Sequence, residues 1–599
     1  MQPAVIILGP SAIELGRRIA EAIGGELHGY APRVREAAIS FTDTADHLRA
    51  LFLAGRPVVG ICASGVLIRS LAPVLADKRE EPLVVAVAED GSAVVPLLGG
   101  HHGANALAKR IATAVDGIAA ITTAGDLRHG VALDEPPPGW RLGNPEAAKS
   151  IMAAFLAGES VVLQNDTPVE PGWLADLPWS REASLRVLVT EKRVGHSSDL
   201  AIHPATIVVG VGCERLAPPS ELIMLADQSL AAIGLSPLSI ACVASIALKA
   251  AEPAVHALAA HWNVPARFLD AEALERETPR LANPSDLVFR ETGCHGVAEG
   301  AALAGLGPDG RLALAKQRSE HATCAIGIAP RIVDPMRVGR AQGRLAILGL
   351  GPGAAESRTP EVDAALRQAS DWVGYKLYLD LLGPLEAGKT QHAFALGEEE
   401  ERAVHALNLA AAGRDVALIS SGDAGIYAMA TLVFELIDRS SRLDWARLEI
   451  TGLPGISAMQ VAASRVGAPL GHDFCAISLS DLLTPWPVIE RRLRAAAEGD
   501  FVVALYNPVS QRRRHQLAAA RDMLRKFRPA ETPVVLGRNL GRPGESLRII
   551  TLGELDPDQV DMLTVVLIGA STTRSLARPD GGRWVYTPRG YGAKNEGAA

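Results

Sequence analysis

The sequence predicts a multidomain α/β protein, and three observations support that prediction. Short β-branched runs alternate with alanine-rich helical stretches along the whole chain, which is typical of α/β domains with largely parallel sheets. The chain has 599 residues, too many for one hydrophobic core, so several packed units are expected. Its composition is 48% hydrophobic and 21% charged, which indicates a globular rather than a disordered chain.

Hydropathy, charge and cysteine usage argue against several classes of protein. No apolar run approaches the roughly 18–20 residues that cross a bilayer, and the first ten residues predict a strand rather than a signal peptide. The formal net charge of −8 gives no overall basic surface for nucleic acid. The six cysteines are widely spread without a C-x-x-C pair, which argues against disulfides and structural zinc. We expect a cytoplasmic protein that binds no metal, membrane or nucleic acid.

Proline-rich and mixed-charge stretches divide the chain into segments. Three consecutive prolines at 136–138 cannot continue a helix or a central strand, and a new α/β unit opens with the apolar run 205–213. A mixed-charge stretch around Pro335 predicts the main linker. The expected segments are 1–130, a middle region 131–204, 205–330, a linker 331–343, a second α/β assembly 344–576 and a polar tail 577–599.

In the first segment, two apolar runs around a turn predict a hairpin on the sheet. The runs are Leu83–Ala88 and Ala93–Leu98, and Asp90-Gly91 lies between them. The glycine-rich stretch Gly99–Asn105 then leads into a helix. Its backbone N–H groups could hold a carboxylate, and the same glycines could equally close a hairpin.

The second assembly opens with Arg344–Gly353, a predicted strand that ends in three glycines able to approach a ligand closely. A dinucleotide-binding loop requires helix entry directly after the third glycine. Here the helix is predicted to begin later, with Thr359 as N-cap and Pro360 at the first position. Taken alone, the motif fits a plain tight turn as well as a cofactor loop.

Three more predicted strands of this half end in turns rich in glycine, aspartate or proline. These turns are Gly422–Tyr427, Leu453–Ala458 and Tyr506–Pro508. Open α/β sheets bind ligands at the carboxyl ends of their strands, so we expect all four turns to line one sheet edge.

Together these stretches resemble the tetrapyrrole methylases, and within them the precorrin-3B C-17-methyltransferases, over about residues 344–575. The matching stretches are Gly349–Gly353, Asp371–Tyr378, Ser421–Tyr427, Gly452–Ala458 and Tyr506–Pro508. In that family, S-adenosylmethionine lies between two α/β lobes and is held mainly by backbone groups of these loops. The resemblance implies cofactor contacts at Gly349, Gly351, Pro352, Gly353, Gly422, Asp423, Ala424, Ile426, Pro454, Ser457, Tyr506 and Asn507.

Methyl transfer from a sulfonium to an enamine-like carbon depends mainly on orientation, which can be worth ~7–11 kcal/mol. In the family, methylation at C-17 is coupled to ring contraction, so the resemblance also implies groups that move protons or stabilise an oxyanion. The candidates are Lys376, Tyr375, Tyr378 and His472, each of which could equally be a packed or solvated side chain. Arg538 could pair with a carboxylate of the substrate.

Residues 1–330 show no recognisable catalytic triad, but their motifs resemble cobalt-precorrin-5A hydrolase. The matching stretches are Cys62–Arg69, Leu97–Asn105, Ile121–Ala124, Val209–Glu214, Ala244–Lys249 with Glu252, Glu291–Glu299, and Lys316 with the strand 322–329. That family opens a ring A lactone and expels acetaldehyde, which requires a base and donors for the released carboxylate. The groups implied are His101, His102, Lys249, Glu252, Cys213 and Glu299.

This half departs from the hydrolase pattern at Gly212-Cys-Glu-Arg-Leu216. Family members commonly carry a second basic residue and a glycine after Gly-Cys. The change could tune the site or signal lost activity.

The sequence therefore predicts a fusion of two enzymes of cobalamin synthesis: two α/β domains of the hydrolase half and a two-lobed α/β methylase domain. With S-adenosylmethionine as cofactor, the second half would methylate precorrin-3B or cobalt-factor III at C-17 with ring contraction. The first half would hydrolyse cobalt-precorrin-5A. We expect a homodimer that takes a tetrapyrrole substrate and works beside other enzymes of the pathway. Two alternatives stay open: a first half that only binds corrinoids, and a nicotinamide oxidoreductase built on Gly349–Gly353.

Overall fold

The structure is a computed structural model that describes residues 2–34, 36–37, 39–75, 81–100, 103–122, 131–195, 199–382, 389–510 and 513–590. Contacts divide the chain into two compact units, Met1–Gln342 and Gly343–Ala599. Within the described ranges, no helix combines the length and the apolar character that crossing a membrane requires.

Unit 1 begins with a seven-stranded sheet in the order β3-β2-β1-β4-β5-β6-β7. Its strands are β1 Ala4–Ile7, β2 Glu26–Tyr30, β3 Ile39–Phe41, β4 Val58–Ile61, β5 Val84–Val87, β6 Ala93–Leu98 and β7 Ile118–Ala119. Its helices are α1 Ile13–Ile23, α2 Thr44–Leu53, α3 Ser64–Leu71 and α4 Ala104–Val115. Alternate residues of β1 enter the cores on opposite faces of the sheet. The predicted hairpin is confirmed, since β5 and β6 pair antiparallel.

A four-stranded sheet follows, in the order β8-β11-β10-β9. Its elements are β8 Trp140–Leu142, α5 Pro145–Ala157, β9 Val161–Asn165, β10 Leu185–Val189 and β11 Leu200–Pro204. It has its own core, which includes Trp140 and Phe155. Sequence analysis assigned no elements to this middle region.

The third sheet of unit 1 has the order β14-β13-β12-β16-β15. Its strands are β12 Ile207–Cys213, β13 Ile240–Ile246, β14 Ala266–Leu269, β15 Arg311–Arg318 and β16 Ala322–Ile328. Its helices are α6 Pro219–Ala232, α7 Pro253–His261, α8 Ala271–Glu275, α9 Asp286–Thr292 and α10 Val297–Leu306. Strands β12, β13 and β14 are parallel, and β16 pairs antiparallel with both β12 and β15.

The segment predicted as a linker packs onto unit 1. Buried Arg267 donates hydrogen bonds to the backbone carbonyls of Val338 (2.6 Å) and Gly339 (2.9 Å). Arg340 forms a β-bridge with Phe268. As far as Arg340, the segment therefore packs against β14, the edge strand of the third sheet.

Unit 2 opens with a fully parallel five-stranded sheet in the order β19-β18-β20-β17-β21. Its strands are β17 Arg344–Gly349, β18 Asp371–Tyr375, β19 Thr390–Phe394, β20 Asp415–Ser420 and β21 Glu449–Leu453. Its helices are α11 Pro360–Gln368, α12 Lys376–Asp380, α13 Glu399–Ala411 and α14 Met429–Arg439. The predicted N-cap of α11 is confirmed, since the Thr359 hydroxyl accepts a hydrogen bond from the Val362 N–H (3.2 Å).

The second large sheet of unit 2 is mixed, in the order β23-β24-β27-β25-β26, with only β23 and β24 parallel. Its strands are β23 Phe474–Ser478, β24 Val502–Tyr506, β25 Pro533–Arg538, β26 Ser546–Thr551 and β27 Thr564–Ile568. Helices α15 Ala458–Val466, α16 Trp486–Glu498 and α17 His515–Leu524 lie in this part of the chain.

A small third sheet joins β22 Gly467–Ala468, β28 Arg574–Ala577 and β29 Arg583–Tyr586 in the order β22-β29-β28. Strand β29 lies inside the segment predicted as a loose tail. Val585 explains the difference, because it is 1% exposed and belongs to a core that also contains α15.

Candidate functional site

Three loops meet at the carboxyl edge of the parallel sheet in unit 2. Loop 349–353 follows β17, loop 421–427 follows β20 and loop 453–457 follows β21, and these three strands are adjacent in the sheet. We call the three loops the glycine edge. Gly351 and Gly422 exchange two backbone hydrogen bonds of 3.1 and 2.7 Å. The expectation of one shared edge is correct for these three turns and wrong for the fourth, because Tyr506–Pro508 follows β24 of the second sheet.

The glycines of this edge are required for two reasons. A Cβ on Gly455 would overlap the Gly422 carbonyl oxygen and lie 2.5 Å from the Gly349 carbonyl oxygen, so the loops pack backbone against backbone. Gly351 and Gly353 instead have φ values of +74° and +142°, which L side chains rarely adopt.

Asp423 joins two loops of the glycine edge. Its Oδ1 accepts a hydrogen bond from the Gly425 N–H (2.8 Å), and its Oδ2 accepts one from the Gly455 N–H (3.1 Å). Ala424 is buried behind it, and Ile426 packs against the core that contains α15. Asp423, a predicted cofactor residue, therefore also holds two loops of the glycine edge together.

The end of the glycine edge runs directly into α15. Pro454 is exposed, whereas Ser457 is 1% exposed at the N-cap position of this helix. The Ser457 N–H donates to Gln460 Oε1 (2.9 Å), which fixes the first turn of the helix.

The second sheet reaches the glycine edge through two tyrosines. The Tyr506 hydroxyl accepts a hydrogen bond from the Met459 N–H (3.3 Å), and the ring lies 5.3 Å from that of Tyr427. The Tyr427 hydroxyl donates to the Ala476 carbonyl of β23 (2.9 Å). Tyr427 is 53% exposed and has a φ of +53°, a left-handed conformation unusual for a bulky residue.

Asn507 is turned toward the second sheet rather than toward the first. It is also left-handed, with a φ of +50°, and its Nδ2 donates to Ser478 Oγ (3.1 Å). Buried Arg513 donates to the Asn507 carbonyl (3.1 Å) and so fixes the turn.

Sequence analysis missed Arg542, which lies between β25 and β26. Its Nε donates to the Pro352 carbonyl (2.9 Å), and its Nη2 donates to Ser421 Oγ (2.6 Å). The guanidinium carbon lies 5.9 Å from the Tyr378 ring centroid. The signal that could have indicated it is an arginine enclosed by glycine and proline, Gly541-Arg-Pro-Gly544.

Of the candidates in the Tyr375–Tyr378 stretch, the structure links only Tyr378 with the glycine edge. Its ring contacts that of Tyr375 edge-on at 5.2 Å. Burial raises the pKa of Tyr378 above its ordinary value against the opposing cations Arg542 and Arg402, so the phenol stays a neutral donor. Lys376 is exposed and pairs with Asp380 (3.0 Å) on its own helix.

Two further candidates make their described contacts elsewhere. The exposed His472 accepts a hydrogen bond from the Asp473 N–H (2.8 Å). Arg538 donates to Asp561 (2.7 Å). The geometry gives neither residue a link to the glycine edge.

The residues of the glycine edge fit S-adenosylmethionine. A nucleoside with an amino-acid arm needs backbone donors and acceptors together with a flat apolar contact, and the loops and the exposed Tyr427 ring offer these. Ser420, the last residue of β20, is buried, and its Oγ has no hydrogen-bond partner among the residues described. Such an orphaned hydroxyl indicates a polar ligand at this edge.

Unit 1 places three predicted residues together at the carboxyl edge of β12 and β13. We call Cys213, Lys249 and Glu252 the lysine cluster. Lys249 Nζ lies 3.5 Å from Glu252 Oε2, and Glu252 Oε1 accepts a hydrogen bond from the Leu216 N–H (2.6 Å). Burial raises the pKa of the Cys213 thiol to about 11, with Lys249 lowering it and Glu252 raising it further.

The departure from the hydrolase pattern has a visible consequence in the backbone. Leu216 has a φ of +59°, in the left-handed region that favours glycine, and its side chain is 73% exposed. The bond from its N–H to Glu252 holds this turn against the lysine cluster.

The structure favours a structural role for Glu299 over the predicted catalytic one. Its carboxylate is 1% exposed and accepts hydrogen bonds from the N–H groups of Ala282, Asn283 and Lys316 and from the Asn283 side chain. Burial raises the pKa of Glu299, but these hydrogen bonds outweigh burial and hold it below its ordinary value. The other candidates of this half, His101 and His102, lie outside the described residues.

A group that the sequence did not indicate lies beside Cys213. Glu221 accepts hydrogen bonds from Ser319 Oγ and from His321 Nδ1 (3.0 Å), which lower the pKa of Glu221 to about 2. The bond to Glu221 in turn raises the pKa of His321. The His321 carbonyl accepts a hydrogen bond from the Glu214 N–H (2.8 Å). The tripeptide Ser319-Glu-His321, at the tip of the β15–β16 hairpin, is the sequence signal for this group.

Comparison with known proteins gives matches in both units. The model of the tetrapyrrole (corrin/porphyrin) methylases matches residues 344–556. The models of the cobalamin synthesis G N-terminal and C-terminal regions match residues 46–126 and 207–327. These matches confirm both resemblances drawn from the sequence.

Relatives of known name match the second unit. The precorrin-3B C(17)-methyltransferase of Sinorhizobium sp is 47% identical over 254 residues, covering 42% of this chain and 99% of the relative. The probable cobalt-factor III C(17)-methyltransferase of Salmonella typhimurium is 47% identical over 247 residues, covering 41% of this chain and 99% of the relative. The crystal structure of the methyltransferase CobJ is 44% identical over 41% of this chain and all of that chain, with a TM-score of 0.39.

Proposed function

Because this chain belongs to the tetrapyrrole (corrin/porphyrin) methylases, we propose that unit 2 methylates precorrin-3B or cobalt-factor III at C-17 with ring contraction. The observation that carries the proposal is the glycine edge, where three loops pack backbone against backbone. When bound, S-adenosylmethionine supplies an electrophilic methyl group. The chain supplies orientation, which is the main requirement of such a transfer.

Backbone groups hold the cofactor in this proposal. Those of residues 422–426 and the N-terminus of α15 bind the polar parts, and Tyr427 covers an apolar face. Asp423 keeps the loops at their spacing through its two backbone hydrogen bonds. Tyr378, whose phenol is protonated at neutral pH, donates a hydrogen bond to an oxygen of the substrate.

Mass spectrometry of the product tests the proposal. Full-length protein is given S-adenosylmethionine with either precorrin-3B or its cobalt counterpart, and a gain of one methyl group is expected. A gain on the metal-free substrate alone assigns the oxygen-dependent route, and a gain on the cobalt form alone assigns the anaerobic route. No gain on either would overturn the C-17 assignment.

Calorimetry separates this proposal from the nicotinamide oxidoreductase alternative. S-adenosylhomocysteine is expected to bind, and NADH is expected not to bind. The helix that follows loop 349–353 supports this expectation. It is α11, which begins seven residues after Gly353, whereas a dinucleotide-binding loop leads directly into its helix. Binding of NADH alone would reverse the assignment.

For unit 1 we propose hydrolysis of the ring A lactone of cobalt-precorrin-5A with release of acetaldehyde. The support is the lysine cluster, in which a partly buried ammonium and a buried carboxylate lie 3.5 Å apart at a strand end. Lys249 would bind the released carboxylate, and Glu252 would take up the proton of the attacking water.

Lys249→Met tests the proposal for unit 1. It is expected to lower acetaldehyde release at least ~10-fold and to leave methyl transfer by unit 2 unchanged. Glu272→Gln is the control, because Glu272 is exposed and its ion pair among the described residues is with Arg276, which directly follows its helix. Equal acetaldehyde release by wild type and Lys249→Met would contradict the role of Lys249. No release from wild type would favour the alternative of a corrinoid-binding module.

We also propose a cytoplasmic homodimer that receives labile tetrapyrroles from other enzymes of cobalamin synthesis. Its cysteines are free, which suits a reducing compartment. Light scattering tests the oligomeric state, and a monomer at micromolar concentration would contradict it.

A further inference from the structure

We propose that Arg542 is a positioning residue that ties the glycine edge to the second sheet of unit 2 and thereby sets the affinity for S-adenosylmethionine. The inference rests on the proposed methyltransferase function. It assigns a role to a residue outside every motif that indicated that function.

The turn that carries Arg542 is held in place by its own residues. The Gly541 N–H donates to Glu545 Oε2 (2.7 Å), and Asn539 Nδ2 donates to the Pro543 carbonyl (2.6 Å). Asn539 has a φ of +50°, so the chain accepts an uncommon backbone conformation here. The Arg542 side chain therefore extends from a turn that its own hydrogen bonds hold in place.

Arg542 contacts two different loops of the glycine edge at once. Its Nε donates to the Pro352 carbonyl (2.9 Å) and its Nη2 to Ser421 Oγ (2.6 Å). These are the loops after β17 and β20, which also pair with each other through Gly351 and Gly422. One guanidinium thus fixes the spacing of both loops, as a planar fork of donors can.

The side chain of Arg542 also accounts for Gly353. A Cβ at Gly353 would lie 2.7 Å from Arg542 Cγ and 2.9 Å from Nε. The arginine stem therefore lies flat on the glycine backbone, and any larger residue at 353 would push it away. Gly541 likewise packs on Pro352, where an added Cβ would lie 2.8 Å from the proline ring.

Removal of the Arg542 side chain should loosen the glycine edge without unfolding unit 2. The two hydrogen bonds come from a charged donor, and the loss of such bonds weakens binding by about 10- to 100-fold. The guanidinium carbon lies 5.9 Å from the centroid of the Tyr378 ring, so this contact adds less to the binding energy than the two hydrogen bonds do.

Calorimetric titration of the full-length protein with S-adenosylhomocysteine tests the inference. Arg542→Ala is expected to bind about 10- to 100-fold more weakly than wild type, and Arg542→Lys, which keeps one donor, is expected to fall between them. Arg548→Ala is the control, because Arg548 is an exposed arginine of the same hairpin that donates to Gln559 (3.2 Å). Its affinity should equal that of wild type.

A double-mutant cycle with Ser421→Ala separates positioning from a general loss of structure. If Arg542 acts through Ser421, the two substitutions together should cost less affinity than the product of their separate effects. Wild-type affinity in Arg542→Ala, or fully multiplicative effects in the cycle, would overturn the inference. Failure of wild type itself to bind S-adenosylhomocysteine would instead overturn the proposed function. Should Arg542→Ala not fold, the conservative Arg542→Lys and Ser421→Ala variants decide in the same way.

Discussion

The glycine edge of unit 2 and the lysine cluster of unit 1 both lie at carboxyl ends of parallel strands, but they are built from different parts of the chain. At the glycine edge, backbone atoms touch directly, and Gly455 leaves no space for a Cβ. In the lysine cluster, side chains meet: Lys249 and Glu252 lie 3.5 Å apart, near the part-buried thiol of Cys213. Ligand sites at strand ends can thus rest on backbone shape or on side-chain charge.

This difference decides how each site responds to change. A backbone site tolerates no added atom where two loops touch, as at Gly349 and Gly455, because the loops cannot separate there without losing their hydrogen bonds. A side-chain site tolerates a changed backbone, and Leu216 shows this by occupying a left-handed position beside the cluster.

Of the substitutions in unit 2, Gly455→Ala should weaken cofactor binding the most. Its Cβ would overlap the Gly422 carbonyl oxygen and force the loops after β20 and β21 apart. We expect S-adenosylhomocysteine affinity to fall by about 100-fold, since overpacking of a rigid site costs up to ~3 kcal/mol. Calorimetry measures the affinity.

Gly452→Ala is the matched control for this prediction. Gly452 lies three residues earlier on β21, and an added Cβ there would meet no atom within 4 Å. Its affinity should stay within about twofold of wild type. Equal losses in both variants would mean that backbone contact is not what builds the glycine edge.

Glu299→Gln should destabilise the third sheet of unit 1. The amide would turn a donor toward N–H groups that now donate to a carboxylate, at a cost of about 3 kcal/mol. Hydrogen exchange of peptides that cover residues 282–316 measures the loss of protection. Glu291→Gln, which changes an exposed carboxylate of α9, should alter protection by less than ~0.5 kcal/mol.

Acid should distinguish the same two proteins. The pKa of Glu299 is lowered in the folded state, so its contribution is fully present above the ordinary value of 4.5 and is lost as pH falls through the lowered value. Protection in wild type should therefore decline below about pH 4.5 more steeply than in Glu299→Gln, which has no titrating group there. Parallel pH profiles would contradict the assigned structural role.

Leu216→Gly should have the smallest effect and the opposite sign. Glycine removes the left-handed strain, worth about 1–2 kcal/mol, but it also increases the chain entropy of the unfolded state. The second effect offsets part of the first and leaves a stabilisation of about 0.5 kcal/mol. The same substitution at Leu287, an exposed leucine inside α9, should destabilise. Thermal unfolding measures both, and a loss of stability in Leu216→Gly would show that the turn needs the leucine side chain.

Sequence analysis predicted the elements whose signals are local. The N-cap Thr359, the β5–β6 hairpin and the glycine loops after β17, β20 and β21 depend on neighbouring residues, and all of them are observed. The four-stranded middle sheet was not predicted. It joins β9, β10 and β11 in parallel over long connections, and its short strands carry polar residues.

Site residues divide along the same line. The glycine loops were found because glycine is required wherever backbones approach closely or take a positive φ. Arg542 and the Glu221–His321 pair were missed, since a side chain that reaches a distant loop leaves no periodic mark in its own segment. The hydrogen bonds of Glu299 could not be foreseen for the same reason, because its donors come from residues 282–283 and 316.

The sequence by itself determined the alternation of strands and helices, the glycine loops at strand ends and the resemblance of both halves to enzymes of corrin synthesis. The elements and loops follow from local propensity and from steric rules that act within a few residues, whereas the resemblance rests on motifs shared with known families. Only the tertiary structure decided that Tyr506 belongs to a second sheet, that Arg542 ties two loops together and that Glu299 is a buried anchor. Such roles depend on which distant groups fold into contact, because hydrogen bonding and burial are set by the partner and not by the residue alone.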